Sequence, residues 1–261
     1  MTCARALAAA LIALVGTGCQ PRQDARAKSG AVFLILVDRS ESVNNPEMRK
    51  LYLRSLKTIL RSPRHGDVFL VGWITDHSAT ELQLPVNEAF PPFCPENDNP
   101  LVVGPERAKA DSALESLRAR IADTVEHLLL SQDRTIMHTA ILQSLELAQR
   151  VFANFEGSPN VLVIMSDMVE DSEKLNFLKE HLTSARTHAI INGLRSEGRL
   201  PDLRGVRVQV LGAATGNGPH DRQVREFWFS LFRTTGAALR PAEYGAALIT
   251  FDLPHTPPAC S

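Results

Sequence analysis

The sequence predicts an α/β fold, with a doubly wound, mostly parallel sheet that helices cover on both faces. Apolar runs over 31–38 (AVFLILVD), 67–74 (DVFLVGWI) and 160–167 (NVLVIMSD) support this prediction. Continuous runs of this length are typical of central strands in parallel sheets, because such strands are buried on both faces. Segments with helical periodicity separate these runs, and strands that alternate with helices favour right-handed crossovers in one sheet.

The remaining elements follow from their start signals and periodicity. Asn45 as N-cap and Pro46 at the first helical position predict a helix that extends to Leu60. Further helices are predicted over 106–130, 138–155, 172–194 and 221–232, and short strands over 80–84, 206–211 and 237–239. The segment 244–251 fits either a final helix or an added strand. A stretch dense in proline and asparagine predicts an inserted loop over about 85–105.

The N-terminal 18 residues have the layout of a secretory signal, with Arg5, an uncharged apolar run and small residues before Cys19. The run is too short to span a bilayer. The residues before Cys19 resemble the bacterial lipobox, which implies cleavage before Cys19 and acylation of its thiol. Gln20 stands where lipoproteins retained in the inner membrane of Gram-negative bacteria usually carry Asp, so the resemblance implies the outer membrane. Residues 19–30 then form a tether, 31–253 one domain and 254–261 a C-terminal tail.

Charge and cysteine content narrow the classes of partner. The chain of 261 residues has a formal net charge of −1, which gives no support for a nucleic-acid partner or a polybasic membrane patch. With Cys3 removed and Cys19 acylated, Cys94 and Cys260 are the remaining thiols in an oxidising compartment. The sequence therefore predicts either a disulfide between them or two separate thiols.

Carboxylate and hydroxyl side chains follow two of the buried strands. Asp38 ends the first apolar run and Ser40 and Ser42 come directly after it, while Asp167 ends the run over 160–167. Open α/β sheets bind ligands at the carboxyl ends of their strands. A pair of poorly solvated carboxylates needs compensation, and nearby hydroxyls favour a cation. Mg²⁺ prefers such oxygen ligands, Mn²⁺ or Ca²⁺ are alternatives, and the absence of His and Cys from the motif argues against zinc.

These residues resemble the von Willebrand factor type A (VWA) family, whose Rossmann-like domains carry a metal-ion-dependent adhesion site (MIDAS). Asp38, Ser40 and Ser42 match its Asp-x-Ser-x-Ser motif, Thr135 falls where the family places a metal-coordinating threonine, and Asp167 fits the third motif. The resemblance implies that these five side chains bind the metal directly or through water, and that an acidic residue of a protein partner completes the coordination. Met168 follows Asp167 where many members have glycine.

The residues themselves leave alternatives open. Asp38 and the two serines fit an ordinary cap of the following turn, and Thr139 is an alternative to Thr135. For function, we expect a non-catalytic module of the cell envelope that binds a divalent metal and, through it, a protein partner. The alternatives are a metal-assisted hydrolase and a VWA scaffold that binds through its loops without metal. Additional negative charge at Glu41, Glu170 and Asp171 is expected to strengthen metal binding and to discourage an acidic partner.

Overall fold

The structure is a computed structural model that describes residues 30–75, 83–96, 98–130, 138–213, 218–247 and 251. Its strands are β1 (Val32–Asp38), β2 (Val68–Ile74), β3 (Val86–Ala89), β4 (Asn160–Met165), β5 (Asp171–Ser172), β6 (Leu175–Asn176), β7 (Val206–Leu211) and β8 (Tyr244–Gly245). Its α-helices are α1 (Pro46–Ile59), α2 (Pro100–Leu130), α3 (Ile141–Phe152), α4 (Ser184–Ser196) and α5 (Pro219–Thr234). The predicted signal, tether and C-terminal tail, with Cys19 and Cys260, lie outside the described residues.

Six strands form one sheet in the order β3-β2-β1-β4-β7-β8. All neighbouring pairs in it are parallel except β2 and β3, which are antiparallel. The predicted doubly wound α/β class is therefore confirmed. From β1 the chain passes to β2 on one side, whereas β4 lies on the other side. The strand order thus changes direction between β1 and β4, which is where such sheets form a ligand crevice.

The sheet separates two apolar layers. Residues of β1 alternate between them: Val32, Leu34 and Leu36 pack on one face, and Phe33, Ile35 and Val37 pack on the other. Helices α3, α4 and α5 cover the first face, and α1 and α2 cover the second. This two-sided burial explains why the central strands are continuous apolar runs in the sequence.

Helix α1 begins as the sequence predicts. The side chain of Asn45 accepts a hydrogen bond from the backbone N–H of Met48 at 2.9 Å, and Pro46 occupies the first turn. The cap satisfies one of the unpaired N–H groups that every helix start exposes. It also fixes where the chain turns back after β1, so that the loop over 39–45 stays at the carboxyl edge of the sheet.

The region over 85–105 differs from the predicted inserted loop. Val86–Ala89 forms the edge strand β3, and α2 begins at Pro100 and contains Pro105 within it. The side chain of Asn99 accepts from the N–H of Leu101 at 3.1 Å, so an Asn-Pro start like that of α1 was overlooked here. Most of the strand predicted over 80–84 lies outside the described residues, and β3 takes the position beside β2.

The prediction of one helix over 172–194 is wrong in its first half. A small hairpin of β5 and β6 occupies 171–176, and α4 begins at Ser184, where Thr183 accepts from the N–H of Arg186 at 3.2 Å. The strand predicted over 237–239 is reduced to a single bridge between Ala238 and Arg207. An added strand, β8, forms at Tyr244–Gly245, the strand alternative for the start of the segment 244–251, whose residues 248–250 lie outside the described residues.

Two further observations concern cysteine pairing and membrane crossing. Cys94 is disulfide-bonded, whereas its predicted pairing with Cys260 lies outside the described residues and stays a prediction. Within the described part of the chain, no helix combines the length and the apolar character that crossing a membrane would require.

Candidate functional site

The predicted site residues that the structure describes meet at the carboxyl edge of β1 and β4. Asp38 is the last residue of β1, and Asp167 comes two residues after β4 ends at Met165. These strands are neighbours, with Val37 of β1 in register with Met165. The adjacency brings both residues to the same edge at the switch in strand order, as the sequence predicts, and the charge of Asp167 acts on Asp38 there.

Asp38 is buried, with 3% of its surface exposed. One carboxylate oxygen accepts a hydrogen bond from the backbone N–H of Ser40 at 2.8 Å, and the other accepts from the hydroxyl of Ser166 at 2.7 Å. Burial raises the pKa of Asp38 to about 6; the two hydrogen bonds lower it, and the negative charge of Asp167 raises it further. Neither of these two hydrogen-bond donors carries a positive charge, so the ionised carboxylate lacks full compensation from them.

The two serines of the motif face each other. Their hydroxyl oxygens lie 3.1 Å apart, with Ser40 buried and Ser42 exposed. A short 3₁₀ turn (Glu41–Val43) follows Ser40, but the Ser40 side chain makes no capping hydrogen bond to it. A turn cap therefore explains the hydrogen bond from the Ser40 N–H to Asp38. It does not explain the two serine hydroxyls, because the Ser40 hydroxyl does not cap the turn.

The loop after β4 is held by hydrogen bonds on both sides of Asp167. The N–H of Val169 donates to the Asp167 side chain at 2.9 Å, and the N–H of Met168 donates to the Ser166 hydroxyl at 3.0 Å. The indole N–H of Trp228 donates to the carbonyl of Met168 at 2.8 Å. The site loop is thus fixed by α5, on which Trp228 is completely buried.

Met168 has a φ of 66°, in the left-handed region that L-residues rarely adopt. This position follows Asp167, where glycine is common in the resembled family, and a positive φ is a conformation that glycine adopts without a Cβ penalty. Here the buried Met168 side chain and the Trp228 hydrogen bond hold the strained residue in place. A methionine therefore adopts here a backbone conformation that glycine favours, and packing and the Trp228 hydrogen bond stabilise it.

The threonine of the second motif, Thr135, lies outside the described residues, so its role stays a prediction. The alternative, Thr139, is buried, and its backbone forms a bridge to Asp171 with hydrogen bonds of 2.9 Å in both directions. The N-cap residue of α3 is Ala140, and no side chain at that position caps the helix. Thr139 is therefore not the N-cap of α3, and its place as the alternative to Thr135 stays a prediction.

The acidic residues expected to add charge around the site have other partners. Glu170 is fully buried, and its carboxylate accepts from the N–H of Leu142 at 3.0 Å, which satisfies the start of α3. One carboxylate oxygen of Asp171 lies 3.2 Å from Nδ1 of His138, and the other accepts from the side-chain N–H of Asn176 at 2.6 Å. Of the three, Glu41 alone has its side chain in an exposed position. Glu170 and Asp171 therefore have structural partners, and the expectation that they strengthen metal binding stays a prediction.

Burial raises the pKa of Glu170 to about 7, against which the hydrogen bonds from Ser172 and the backbone of α3 act only partly. A carboxyl whose folded pKa lies above its unfolded value of 4.5 favours folding below pH 4.5, and this contribution is lost as the pH rises through about 7. In the presence of a metal chelator, the unfolding free energy of the unsubstituted protein is expected to fall between pH 4 and pH 8. That of Glu170→Gln is expected to fall by about 3 kcal/mol less, because glutamine does not ionise.

Denaturant unfolding at a series of pH values measures this difference, and Glu173→Gln on the exposed surface is the matched control. If the unfolding free energies of the unsubstituted protein and Glu170→Gln change in parallel with pH, the raised pKa of Glu170 is contradicted.

Two residues of the site were missed at the sequence level. Ser166 bonds directly to Asp38, although the sequence offered only its place next to Asp167 as a signal. The phenol of Tyr52 comes from α1, fourteen positions beyond Asp38 in the chain. Its helical spacing predicts core packing, and nothing in the pattern indicates that its hydroxyl reaches the carboxyl edge.

The donor set fits a hard divalent cation. The described part of the site supplies two carboxylates and two hydroxyls, all oxygen donors, which suit Mg²⁺ or Mn²⁺ better than zinc. Within the described ranges, no group of three or more His, Cys, Asp or Glu side chains could hold a metal ion, so binding here depends on the hydroxyls. A cation would also relieve the repulsion between Asp38 and Asp167.

Comparisons with known proteins give structural matches only: no protein-family model and no curated protein sequence matches the chain. A manganese-loaded TRAP protein from Plasmodium vivax is 14% identical over 85% of this chain and 69% of its own, with a TM-score of 0.45. Proximal thread matrix protein 1 from the mussel byssus, with a zinc-occupied MIDAS motif, is 17% identical over 73% of this chain, with a TM-score of 0.39. A von Willebrand factor type A protein from Catenulispora acidiphila is 12% identical over 80% of this chain, with a TM-score of 0.41.

The chain spans 37% of the mussel protein and 42% of the Catenulispora protein. Identities of this size, with TM-scores below 0.5, establish neither a shared ligand nor a shared partner.

Proposed function

We propose that the chain is a VWA-like module that binds a divalent cation, Mg²⁺ or Mn²⁺, at the carboxyl edge of β1 and β4. The observation that carries the proposal is the buried Asp38 next to Asp167, beside a pair of serine hydroxyls 3.1 Å apart. Folding brings together two carboxylates that repel each other, and a bound cation is the compensation that such an arrangement lacks. Asp38, Ser40, Ser42, Asp167 and, from the loop outside the described residues, Thr135 would hold the ion.

The proposed role is recognition rather than catalysis. A cation held by protein oxygens supplies a positive centre that attracts a carboxylate, and the exposed Ser42 marks the side open to solvent. We propose that an acidic side chain of a protein partner binds there. The positions of Glu170 and Asp171 support this, because both side chains are less than fully exposed and accept hydrogen bonds from groups within the fold, so they are less available to oppose an acidic partner than the sequence suggested.

Anchoring of the module at the cell envelope through an acylated Cys19, in the outer membrane, is part of the same proposal. It is supported by the lipobox-like residues before Cys19. A Cys19→Ser protein is expected to leave the membrane fraction of a Gram-negative host, and its retention there would contradict the anchor.

Calorimetric titration of the full chain with Mn²⁺ and Mg²⁺ tests the cation site. We expect saturable binding at one site, and its loss in a protein carrying both Asp38→Ala and Asp167→Ala. Asp202→Asn is the matched control and is expected to bind the cation normally. Asp202 is an exposed acid that pairs with Arg204, far along the chain from the site. Equal binding by the double variant and the control would overturn the proposal.

A further inference from the structure

The side chain of Tyr52 is buried, with 2% of its surface exposed, yet its hydroxyl has no hydrogen-bond partner. A buried hydroxyl without a partner destabilises the fold, because it has lost its hydrogen bonds to water and gained none in return. Such groups are few in folded proteins, and each calls for an explanation such as a bound water, an ion or a function. The rest of the phenol packs in the apolar layer between the sheet and α1, so the hydroxyl is the part that needs explaining.

The phenol is directed toward the carboxyl edge of the sheet. Helix α1 starts at this edge, and side chains in a helix lean back toward its N-terminus. Gly212, the residue directly after β7 at the same edge, lies against the ring: a Cβ placed there would come within 3.0 Å of the Tyr52 hydroxyl oxygen. The glycine, with a φ of 92°, thus leaves room for the hydroxyl to reach this position.

The charges around the hydroxyl are those of the proposed cation site. Burial is the main reason why the pKa of Tyr52 lies well above its usual value, and the negative charges of Asp38 and Asp167 raise it further. The phenol therefore stays protonated and has an O–H to donate. It feels the charge of both carboxylates and makes no hydrogen bond to either, so its O–H is left for another acceptor.

We propose that Tyr52 is a further ligand-binding residue of this site, whose hydroxyl donates a hydrogen bond to a water or carboxylate oxygen that enters the edge together with the cation. The inference rests on the proposed function, because the oxygen it binds arrives with the ion. It assigns a role to a residue outside the three sequence motifs, and it explains why a protein core tolerates an unpaired phenol at this position.

Calorimetric titration of the full-length Tyr52→Phe protein with Mn²⁺ alone, where the acceptor is water, tests this inference. We expect the affinity for Mn²⁺ to fall roughly 5- to 10-fold, the loss of one hydrogen bond to a ligand. In chelator, the same variant is expected to be at least as resistant to thermal unfolding as the unsubstituted protein, because it removes an unsatisfied group. Loss of affinity without loss of stability separates a binding role from a packing role.

Thr235→Val is the matched control. Thr235 is also buried, but its hydroxyl donates to the carbonyl of Phe232 at 2.8 Å, and it adjoins Leu203 at the opposite end of the sheet from the site. We expect this variant to lose stability and to keep the Mn²⁺ affinity.

Unchanged Mn²⁺ affinity in Tyr52→Phe, with normal binding by the unsubstituted protein, would overturn this inference and leave the proposed function intact. Lower stability of Tyr52→Phe in chelator would overturn it as well, because the hydroxyl would then have a partner within the fold. Absence of Mn²⁺ binding by the unsubstituted protein would overturn the proposed function and this inference together.

Discussion

Replacing Asp38 with asparagine is expected to stabilise the cation-free protein at pH 8 and to abolish its cation binding. Burial raises the folded pKa of Asp38 to about 6, above the ordinary value of 3.8. Its contribution to stability is therefore complete below pH 3.8 and is lost as the pH rises through about 6, at a cost of up to about 3 kcal/mol. Asparagine has nearly the same shape, removes the charge and keeps an acceptor for the Ser40 N–H, but its NH₂ group cannot accept from the Ser166 hydroxyl, so we expect a net gain of about 1–2 kcal/mol.

Mn²⁺ is expected to reverse this order of stability. At a cation concentration 1,000 times the dissociation constant, the unsubstituted protein gains about 4 kcal/mol from binding, whereas Asp38→Asn gains nothing. Thermal and denaturant unfolding with chelator and with Mn²⁺ measure both halves of the prediction. Asp202→Asn serves as the control, with stability expected to stay within about 0.5 kcal/mol. An Asp38→Asn protein that is destabilised in chelator would show that the carboxylate serves the fold and not a ligand.

Replacing Trp228 with alanine is expected to cost about 3–5 kcal/mol of unfolding free energy. The indole is completely buried, packs edge-on against Phe227 with ring centroids 5.2 Å apart, and donates its N–H to the Met168 carbonyl at 2.8 Å. The substitution therefore opens a cavity and leaves a buried carbonyl unpaired. Because this carbonyl belongs to the residue next to Asp167, the affinity for Mn²⁺ is expected to fall as well.

Two milder variants separate packing from the hydrogen bond. Trp228→Phe keeps an aromatic ring and removes the indole N–H. Phe232→Leu replaces another buried ring on the same helix with a smaller side chain, and this ring makes no hydrogen bond to the loop. Both are expected to destabilise the protein in denaturant unfolding followed by far-ultraviolet circular dichroism, but only Trp228→Phe is expected to weaken Mn²⁺ binding. Equal affinities in the two variants would contradict the role of Trp228 in holding the Asp167 loop.

The central part of the fold could be predicted from the sequence because its physical signal is strong. Strands β1, β2 and β4 are covered on both faces, so they appear as continuous apolar runs, and the Asn45-Pro46 pair marks the start of α1. The two acids at the ends of β1 and β4 followed from the same reasoning. The peripheral elements had weaker signals: β3 is a four-residue edge strand with one buried side chain, and β5 and β6 have two residues each.

The missed site residues were hidden for different reasons. Ser166 donates a hydrogen bond to Asp38, which lies 128 positions earlier in the sequence at the end of a neighbouring strand. No local sequence pattern encodes such a contact. Tyr52 has the spacing of an ordinary core residue on α1, and only the three-dimensional structure shows that Gly212 leaves room for its hydroxyl. Glu170 was expected to add negative charge near the metal site, because a sequence does not show that the carboxylate binds the N–H of Leu142 at the start of α3.

The most direct test is a crystal structure of the chain grown with Mn²⁺ and measured at the manganese absorption edge. We expect one anomalous peak at the carboxyl edge of β1 and β4, within coordination distance of the Ser40 and Ser42 hydroxyls and next to Asp38 and Asp167. The absence of a peak there, with Asp38 still bonded only to Ser40 and Ser166, would contradict the cation site on which the proposed function depends.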